Sequence, residues 1–299
     1  MVGSRGKQAV FFKVVLHIFF ILLSLCFIIP IWAIIAISLT QETDILKYGY
    51  QLIPKNIDFA AYSFILKEPT TILSAYKVTI ITSVTSTVLY LLIGSMAAYA
   101  LSRNNFKYRK IITLYYFFTM LFSGGLVPSY ILIARYLHLK NSIWVLILPG
   151  LANVWNMILM RTFFQQLPSA IFDSATIDGA SEFRIYYALV LPLSKPVLAT
   201  VGLLTMLSSW NAWFEALLYI TKPSLYPLQY LLQVMLLNLQ MLLNLMTKDI
   251  GTIDLSLIKV PAEAVRMAMC VLAVGPMLFV FPFFQKYFSK GLTVGSIKG

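Results

Sequence analysis

Six apolar runs, each close to the length that crosses a lipid bilayer, constrain this chain more than any other feature. About 20 apolar residues in a helix cross a hydrocarbon core about 30 Å thick. Hydrophobic residues make up 60% of the sequence and charged residues 11%, whereas a soluble domain carries about 25% charged residues. Because the chain cannot cover its surface with charge, we predict an all-α integral membrane protein with one domain over residues 1–299. The runs are residues 14–39, 78–101, 111–133, 142–160, 197–220 and 264–284.

The charges between these runs predict the orientation of the chain. Basic residues favour the cytoplasmic side, above all in short loops, and residues 102–110 hold Arg103, Lys107, Arg109 and Lys110. We therefore interpret the net charge of +12 as membrane anchoring by lipid headgroups, and expect no binding of nucleic acid. The prediction is six transmembrane helices with both termini in the cytoplasm. The inside segments are then residues 1–13, 102–110, 161–195 and 285–299.

Motifs that would supply chemistry or energy are missing from the sequence. It contains no GxxxxGK[ST] loop for nucleotide phosphates and no HExxH or GxSxG motif. His17 and His138 stand alone, and Cys26 and Cys270 lie inside apolar runs, so we expect no metal or other cofactor on this chain. The apolar runs are also nearly bare of the buried charges that ion-coupled carriers use. These features argue against an enzyme.

One further apolar stretch falls between the fifth and sixth runs, in a predicted outer loop at residues 221–263. Residues 230–246 are apolar, but they are interrupted by polar amides. We therefore predict a helix on the outer surface or against a neighbouring subunit, and not a seventh span. The polar segment that follows, residues 248–259, is expected to project from it.

Amides and indoles inside the fourth and fifth runs are candidates for a solute path. Neutral hydrogen-bonding groups beside aromatic rings suit a polyhydroxylated solute, since sugar C–H faces stack on rings while hydroxyls bond amides. The same side chains could instead form an aromatic belt at the membrane surface or polar contacts between helices. They are Asn153, Trp155, Asn156, Trp210, Asn211 and Trp213.

The predicted inside segment at residues 161–195 reads as two short helices joined at a glycine. Ser169 is expected to cap the first helix, Gly179 to end it and Ser181 to cap the second. Residues at helical spacing from Phe172 to Gly179 form a face of one aromatic followed by small residues, which would let another surface approach closely. On these arguments alone, a plain amphipathic connector at the headgroups is equally compatible.

The spacing within this segment carries a resemblance. Asp173-Ser174-Ala175 is followed after three residues by Gly179, then by Leu189 and Leu191-Pro192. This resembles the EAA loop of binding-protein-dependent ABC importer permeases, with mild departures at three positions. Residues 210–213, 226–229 and 285–299 further resemble oligosaccharide importers related to the maltose system, in particular the smaller, maltose-G-like permease of branches that handle acidic oligosaccharides.

The resemblance implies a type I ABC importer permease fold with a cytoplasmic coupling helix at about residues 169–179. It implies a bacterial inner-membrane subunit that pairs with a homologous permease and two ATP-binding cassette subunits, which hold ATP and Mg. An extracytoplasmic solute-binding protein would deliver the sugar. The rival interpretations are an ion-coupled secondary carrier and a membrane scaffold without transport activity.

Two sets of site residues also follow from the resemblance. The residues expected to couple to the ATPase are Phe172, Asp173, Ala175, Thr176, Asp178, Gly179, Ala180 and Glu182. The residues expected to probe the binding protein from the outer loop are Lys248, Asp249, Gly251 and Asp254.

Overall fold

The computed structural model describes residues 3–248 and 261–291, and within these ranges the chain is helical apart from turns and one isolated β-bridge between Thr40 and Ile57. Packing of the backbone divides the chain into two compact units. One comprises Met1–Glu68 and Met235–Gly275, and the other comprises Pro69–Val234 and Pro276–Gly299.

The helices are bounded as follows in chain order. They are α1 (Gly3–Ser38), α2 (Glu42–Tyr48), α3 (Ala60–Ile65), α4 (Pro69–Ser102), α5 (Arg109–Leu121), α6 (Leu126–Ile131), α7 (Val154–Gln165), α8 (Ser169–Ile177), α9 (Glu182–Ile185), α10 (Leu191–Leu193), α11 (Lys195–Trp210), α12 (Phe214–Tyr219), α13 (Leu228–Lys248) and α14 (Ala262–Gly291). Single π-helical turns follow α6 at Leu132–Tyr136 and α9 at Tyr186–Val190, and 3₁₀ turns occupy Ile143–Leu146, Pro149–Ala152 and Pro223–Leu225.

Three continuous helices are long and apolar enough to cross a membrane, and three bent pairs pass the same test when each pair is taken as one span. The continuous segments are Val10–Ser38, Pro69–Ser102 and Ala262–Pro282. The pairs are Arg109–Leu121 with Leu126–Tyr136 (111°), Ile143–Ala152 with Val154–Gln165 (47°), and Glu182–Leu193 with Lys195–Trp210 (81°). By length and composition, the described chain therefore has up to six spans, and α13 is not among them.

The boundaries of the fifth span differ from those expected. The sequence predicts one run over residues 197–220, but α11 ends at Trp210 and a separate helix, α12, begins at Phe214. At its N-terminal end, α11 meets Glu182–Leu193 at an 81° bend, and these helical residues belong to the predicted inside loop. Apolar composition alone could not reveal these breaks, because hydropathy averages over a window of residues and carries no information on where the helix axis turns.

The first unit is organised around the start of α14. The Glu42 carboxylate accepts hydrogen bonds from the backbone N–H groups of Glu263 (3.0 Å) and Ala264 (3.1 Å). It thereby caps a helix more than 200 residues away in sequence. The Tyr50 hydroxyl donates to Glu263 at 2.7 Å, and the Trp32 indole donates to the Leu52 carbonyl at 2.8 Å. These bonds order the connection between α1 and α4.

The core of the second unit lies where α4 packs against both α7 and α11. Ala98 and Met160 are fully buried there. A Cβ added at Gly94 would lie 3.3 Å from the terminal methyl carbon of Met160. The small residues at 94 and 98 therefore allow α4 and α7 to approach closely.

Candidate coupling site and solute path

The predicted pair of short helices joined at a glycine is present between α7 and α11. It consists of α8 and α9 on either side of Gly179, and we call this segment the elbow. Gly179 has φ of +70°, a left-handed conformation that glycine adopts without a steric penalty. The N–H of Ala180 donates to the Ala175 carbonyl at 2.9 Å, and the N–H of Gly179 donates to the Thr176 carbonyl at 3.0 Å. This pair of bonds is the Schellman motif, which ends α8.

The two predicted serine caps have different outcomes. Ser181 accepts a hydrogen bond from the Arg184 N–H at 3.4 Å and caps α9 as expected. The prediction for Ser169 is wrong, because Ser169 is already the first residue of α8. Pro168 takes the cap position with an extended backbone (φ −57°, ψ 129°) and no side-chain cap. The ψ of 129° places Pro168 outside the helix although its φ is helical, so the helix begins directly after it.

The exposed face of α8 also differs from the expected one. Phe172 is buried in the core of the second unit, and Ala175 and Ala180 pack against the same core. The face predicted from Phe172 to Gly179 is thus turned inward at its aromatic end, because burial removes the large apolar ring from water. Ile177 is instead 86% exposed. The other exposed side chains on α8 and its C-terminal turn include Asp173, Ser174, Thr176 and Asp178.

Glu182, the first residue of α9, is bound to the C-terminal end of α4. Its carboxylate accepts hydrogen bonds from the Tyr99 hydroxyl and from the Asn105 amide (3.3 Å), and forms an ion pair with Arg103 at 3.2 Å. Partial burial raises the pKa of the carboxyl, but these hydrogen bonds and the Arg103 charge outweigh burial and hold the pKa below its usual range. Glu182 is therefore ionised at neutral pH.

Two of the predicted path residues in the fourth span have structural roles. Asn153 caps α7 by accepting the N–H of Asn156 at 3.1 Å, and its carbonyl accepts the Tyr90 hydroxyl at 2.6 Å. Asn156 is buried and lies 3.4 Å from the Thr205 hydroxyl of α11. These contacts match the interpretation of polar bonds between helices.

Trp155 is 63% exposed and borders a cavity of about 580 Å³ between α5 and the start of α7. Tyr115, Tyr116 and Asn153 line the same cavity. At this cavity two predicted path residues, Asn153 and Trp155, lie beside other aromatic rings.

The predicted path residues of the fifth span are not gathered at that cavity. Trp210 is buried at the end of α11. Asn211 follows it, donates to the Leu207 carbonyl at 2.9 Å and accepts from the Gln229 amide at 3.4 Å. Trp213 is partly exposed and packs edge-on against Phe214. Within the described residues, these three mark the break between α11 and α12 and do not line the cavity beside Trp155.

The predicted binding-protein loop is mostly outside the described residues. Lys248 ends α13, whereas Asp249, Gly251 and Asp254 lie in the part of the chain that the structure does not describe.

Sequence reasoning missed the residues that hold the elbow in place. Arg103 was interpreted only as a topology signal, although its guanidinium carbon lies 4.4 Å from the centroid of the Phe172 ring. Tyr99 and Asn105 were not singled out. Two signals for this contact were available in the sequence, namely a cation directly after a span at Arg103 and an acid at Glu182. Because they are far apart in the chain, no local pattern connects them.

Residues 90–294 match the family described as the binding-protein-dependent transport system inner membrane component. The chain belongs to this family. The matched region includes α7 to α12 and the whole elbow. The predicted membership among binding-protein-dependent importer permeases is confirmed.

Individual relatives agree over most of the chain. Protein LplC of Bacillus subtilis (strain 168) is 37% identical over 91% of this chain and 90% of the relative. The polygalacturonan/rhamnogalacturonan transport system permease protein YtcP of the same strain is 33% identical over 96% of this chain and 98% of the relative.

A solved structure supports the fold as well. It is the crystal structure of a bacterial ABC transporter involved in the import of the acidic polysaccharide alginate. The match has a TM-score of 0.77 and 29% sequence identity, and covers 96% of this chain and 99% of that chain. The predicted all-helical ABC importer permease fold is confirmed, and the chain is an inner-membrane transport component.

Proposed function

We propose that this chain is one of two membrane-spanning subunits of an ATP-driven importer for an oligosaccharide that contains uronic acid units. The observation that carries the proposal is the family match that runs through the elbow at α8 and α9. The substrate class is supported by the names of the relatives, since YtcP is named for polygalacturonan and rhamnogalacturonan and the related crystal structure for alginate.

Energy enters through α8 in this proposal. The chain has no nucleotide-binding loop of its own, so ATP and Mg bind two partner ATP-binding cassette subunits. One of these subunits receives the exposed side of α8, where Ile177 offers an apolar contact and Asp173 and Asp178 offer charge. The coupling residues that are partly or wholly buried, such as Phe172 and Ala175, act by holding α8 in place.

The sugar follows a path between this chain and a homologous permease. A solute-binding protein delivers it from outside, with the segment after Lys248 probing the bound sugar. Closure of the ATPase subunits moves the elbow and turns the path outward, and ATP hydrolysis resets it. The cavity beside Trp155, Tyr115 and Tyr116 provides aromatic faces for sugar rings on the way. Both chain termini lie in the cytoplasm.

Reconstitution tests this function. The chain, its partner permease, the two ATPase subunits and the solute-binding protein are assembled in liposomes and supplied with trigalacturonate, with neutral maltotriose as the control sugar. We expect trigalacturonate uptake only when ATP and the binding protein are both present. Uptake driven by a proton or sodium gradient without ATP would refute the ATP-driven importer. Uptake of maltotriose without uptake of trigalacturonate would refute the acidic substrate class.

A further inference from the structure

Arg103 bridges the two arms of the elbow. It lies directly after α4, and its side chain is only 18% exposed. Its guanidinium carbon sits 4.4 Å from the centroid of the Phe172 ring on α8, while Nη2 lies 3.2 Å from the Glu182 carboxylate on α9. Phe172 precedes Gly179 in the chain and Glu182 follows it, so one cation contacts the elbow on both sides of its bend.

The chemistry of arginine suits this double contact. A guanidinium is planar, so its face can stack on an aromatic ring while its edge donates hydrogen bonds to a carboxylate. An ammonium group can pair with Glu182 as a point charge, but it has no flat face to lay on the Phe172 ring.

The bridge is continued on the α4 side. Tyr99 on α4 and Asn105 just after it both donate to the same Glu182 carboxylate. Beyond Glu182, Tyr186 lies against α4, with its hydroxyl 2.6 Å from that of Ser95. The end of α4 is in turn fixed from α7, because Arg161 Nε donates to the Leu101 carbonyl at 3.0 Å.

Without this bridge, α8 would be held more loosely. A Cβ at Gly179 would meet nothing within 4 Å apart from its chain neighbours, and the turn is closed by the two local backbone bonds of the Schellman motif. A force applied to α8 could therefore be absorbed by bending at Gly179.

We propose that Arg103 is a positioning residue that fixes α8 to the end of α4, so that movement imposed on α8 by an ATPase subunit is passed into the bundle of α4, α7 and α11. This inference rests on the proposed function for the origin of the movement. The rigid attachment itself is a property of this chain and is testable without transport.

The variants separate the two contacts of Arg103. Arg103→Ala removes both, Arg103→Lys keeps the charge for Glu182 but removes the stack on Phe172, and Glu182→Gln removes only the ion pair. Lys107→Ala is the matched control, because it removes a cation from the same loop and Lys107 is exposed. All are made in a background with Cys26→Ala and Cys270→Ala.

Attachment is measured first, with a nitroxide label on Ser174→Cys, an exposed position on α8, in the assembled transporter without ATP. We expect Arg103→Ala to increase label mobility clearly, Arg103→Lys and Glu182→Gln to increase it less, and Lys107→Ala to leave it unchanged. Equal mobility in Arg103→Ala and wild type would overturn the proposal, whatever the transport assays show.

Coupling is measured second, as sugar uptake per ATP hydrolysed. We expect Arg103→Ala to lower this ratio about tenfold while the ATPase subunits still copurify, a change equivalent to the loss of a moderate coupling interaction. The charge-reversed pair Arg103→Glu with Glu182→Arg should recover part of the ratio relative to Arg103→Glu alone. A wild-type complex without ATP-driven uptake would refute the proposed function. An active wild type with an unchanged ratio in Arg103→Ala would refute the role of Arg103.

Discussion

Substitutions at Gly179 distinguish a role in the local turn from a role in docking an ATPase, because the two roles predict opposite orders of damage. Its φ of +70° costs a non-glycine residue about 1–2 kcal/mol, and asparagine and aspartate tolerate this region better than alanine. If close approach of the ATPase decides the outcome, Gly179→Asp and Gly179→Asn should abolish uptake, whereas the smaller Gly179→Ala should retain part of it. Uptake and copurification of the ATPase subunits measure this order.

Membrane insertion is expected to remain intact in all three variants, as judged by the amount of chain in the membrane fraction. The reverse order, with alanine the most damaging, would mean that Gly179 serves the turn and that no partner approaches it closely.

For single residues, features set by neighbouring residues were predictable from the sequence, whereas contacts between residues far apart in the chain were not. Ser181 caps α9 because capping depends on neighbouring backbone groups, and the Gly179 turn follows from the same local geometry. The inward-facing Phe172 packs in the core of the second unit and against Arg103, almost 70 residues earlier in the chain. No periodicity within α8 contains that information.

Among the helices, the contact of α4 with α7 gives a direct test of packing. A Cβ at Gly94 would lie 3.1 Å from a Tyr90 ring carbon and 3.3 Å from the Met160 methyl carbon. Gly94→Ala requires a small adjustment, while Gly94→Val should separate the helices and cost about 1–3 kcal/mol. We expect a lower melting temperature for Gly94→Val than for Gly94→Ala, measured by tryptophan fluorescence in detergent.

Gly275 in α14 provides the matched control, since nothing lies within 4 Å of a Cβ there. Gly275→Ala should change the stability by less than about 1 kcal/mol, because the higher helix propensity of alanine is opposed by the restriction that Pro276 places on a Cβ at the preceding residue. If Gly94→Val melts at the wild-type temperature, the close approach of α4 and α7 does not contribute to stability.

The positions of the helices were predictable, whereas their breaks were only partly so. The break between α5 and α6 coincides with Ser123-Gly124-Gly125 in the sequence, and α11 begins at Lys195-Pro196. The 111° and 81° bends were not predictable. A bend angle is set by the helices packed around it, and hydropathy measures only how apolar each segment is.

For the whole molecule, the topology depends on whether the most strongly bent pair crosses the membrane. Arg109–Leu121 and Leu126–Tyr136 meet at 111°, which fits either a broken span or a re-entrant loop. If the pair crosses, the chain has six spans, and α8 lies on the same side as residues 102–108. If the pair returns to its own side, every later segment changes sides and α8 faces outward.

Labelling with a membrane-impermeant maleimide in intact cells distinguishes these topologies. In the background without native cysteines, we expect Lys55→Cys to react from outside, and Lys107→Cys and Ser174→Cys to react only after permeabilisation. All three positions are exposed in the chain, and recovery of the reaction after permeabilisation shows that the membrane, and not burial, protected a position. Residue 107 precedes the bent pair and residue 174 follows it. If Ser174→Cys reacts in intact cells while Lys107→Cys stays protected, the bent pair does not cross the membrane. In that case α8 could not meet an ATPase in the cytoplasm.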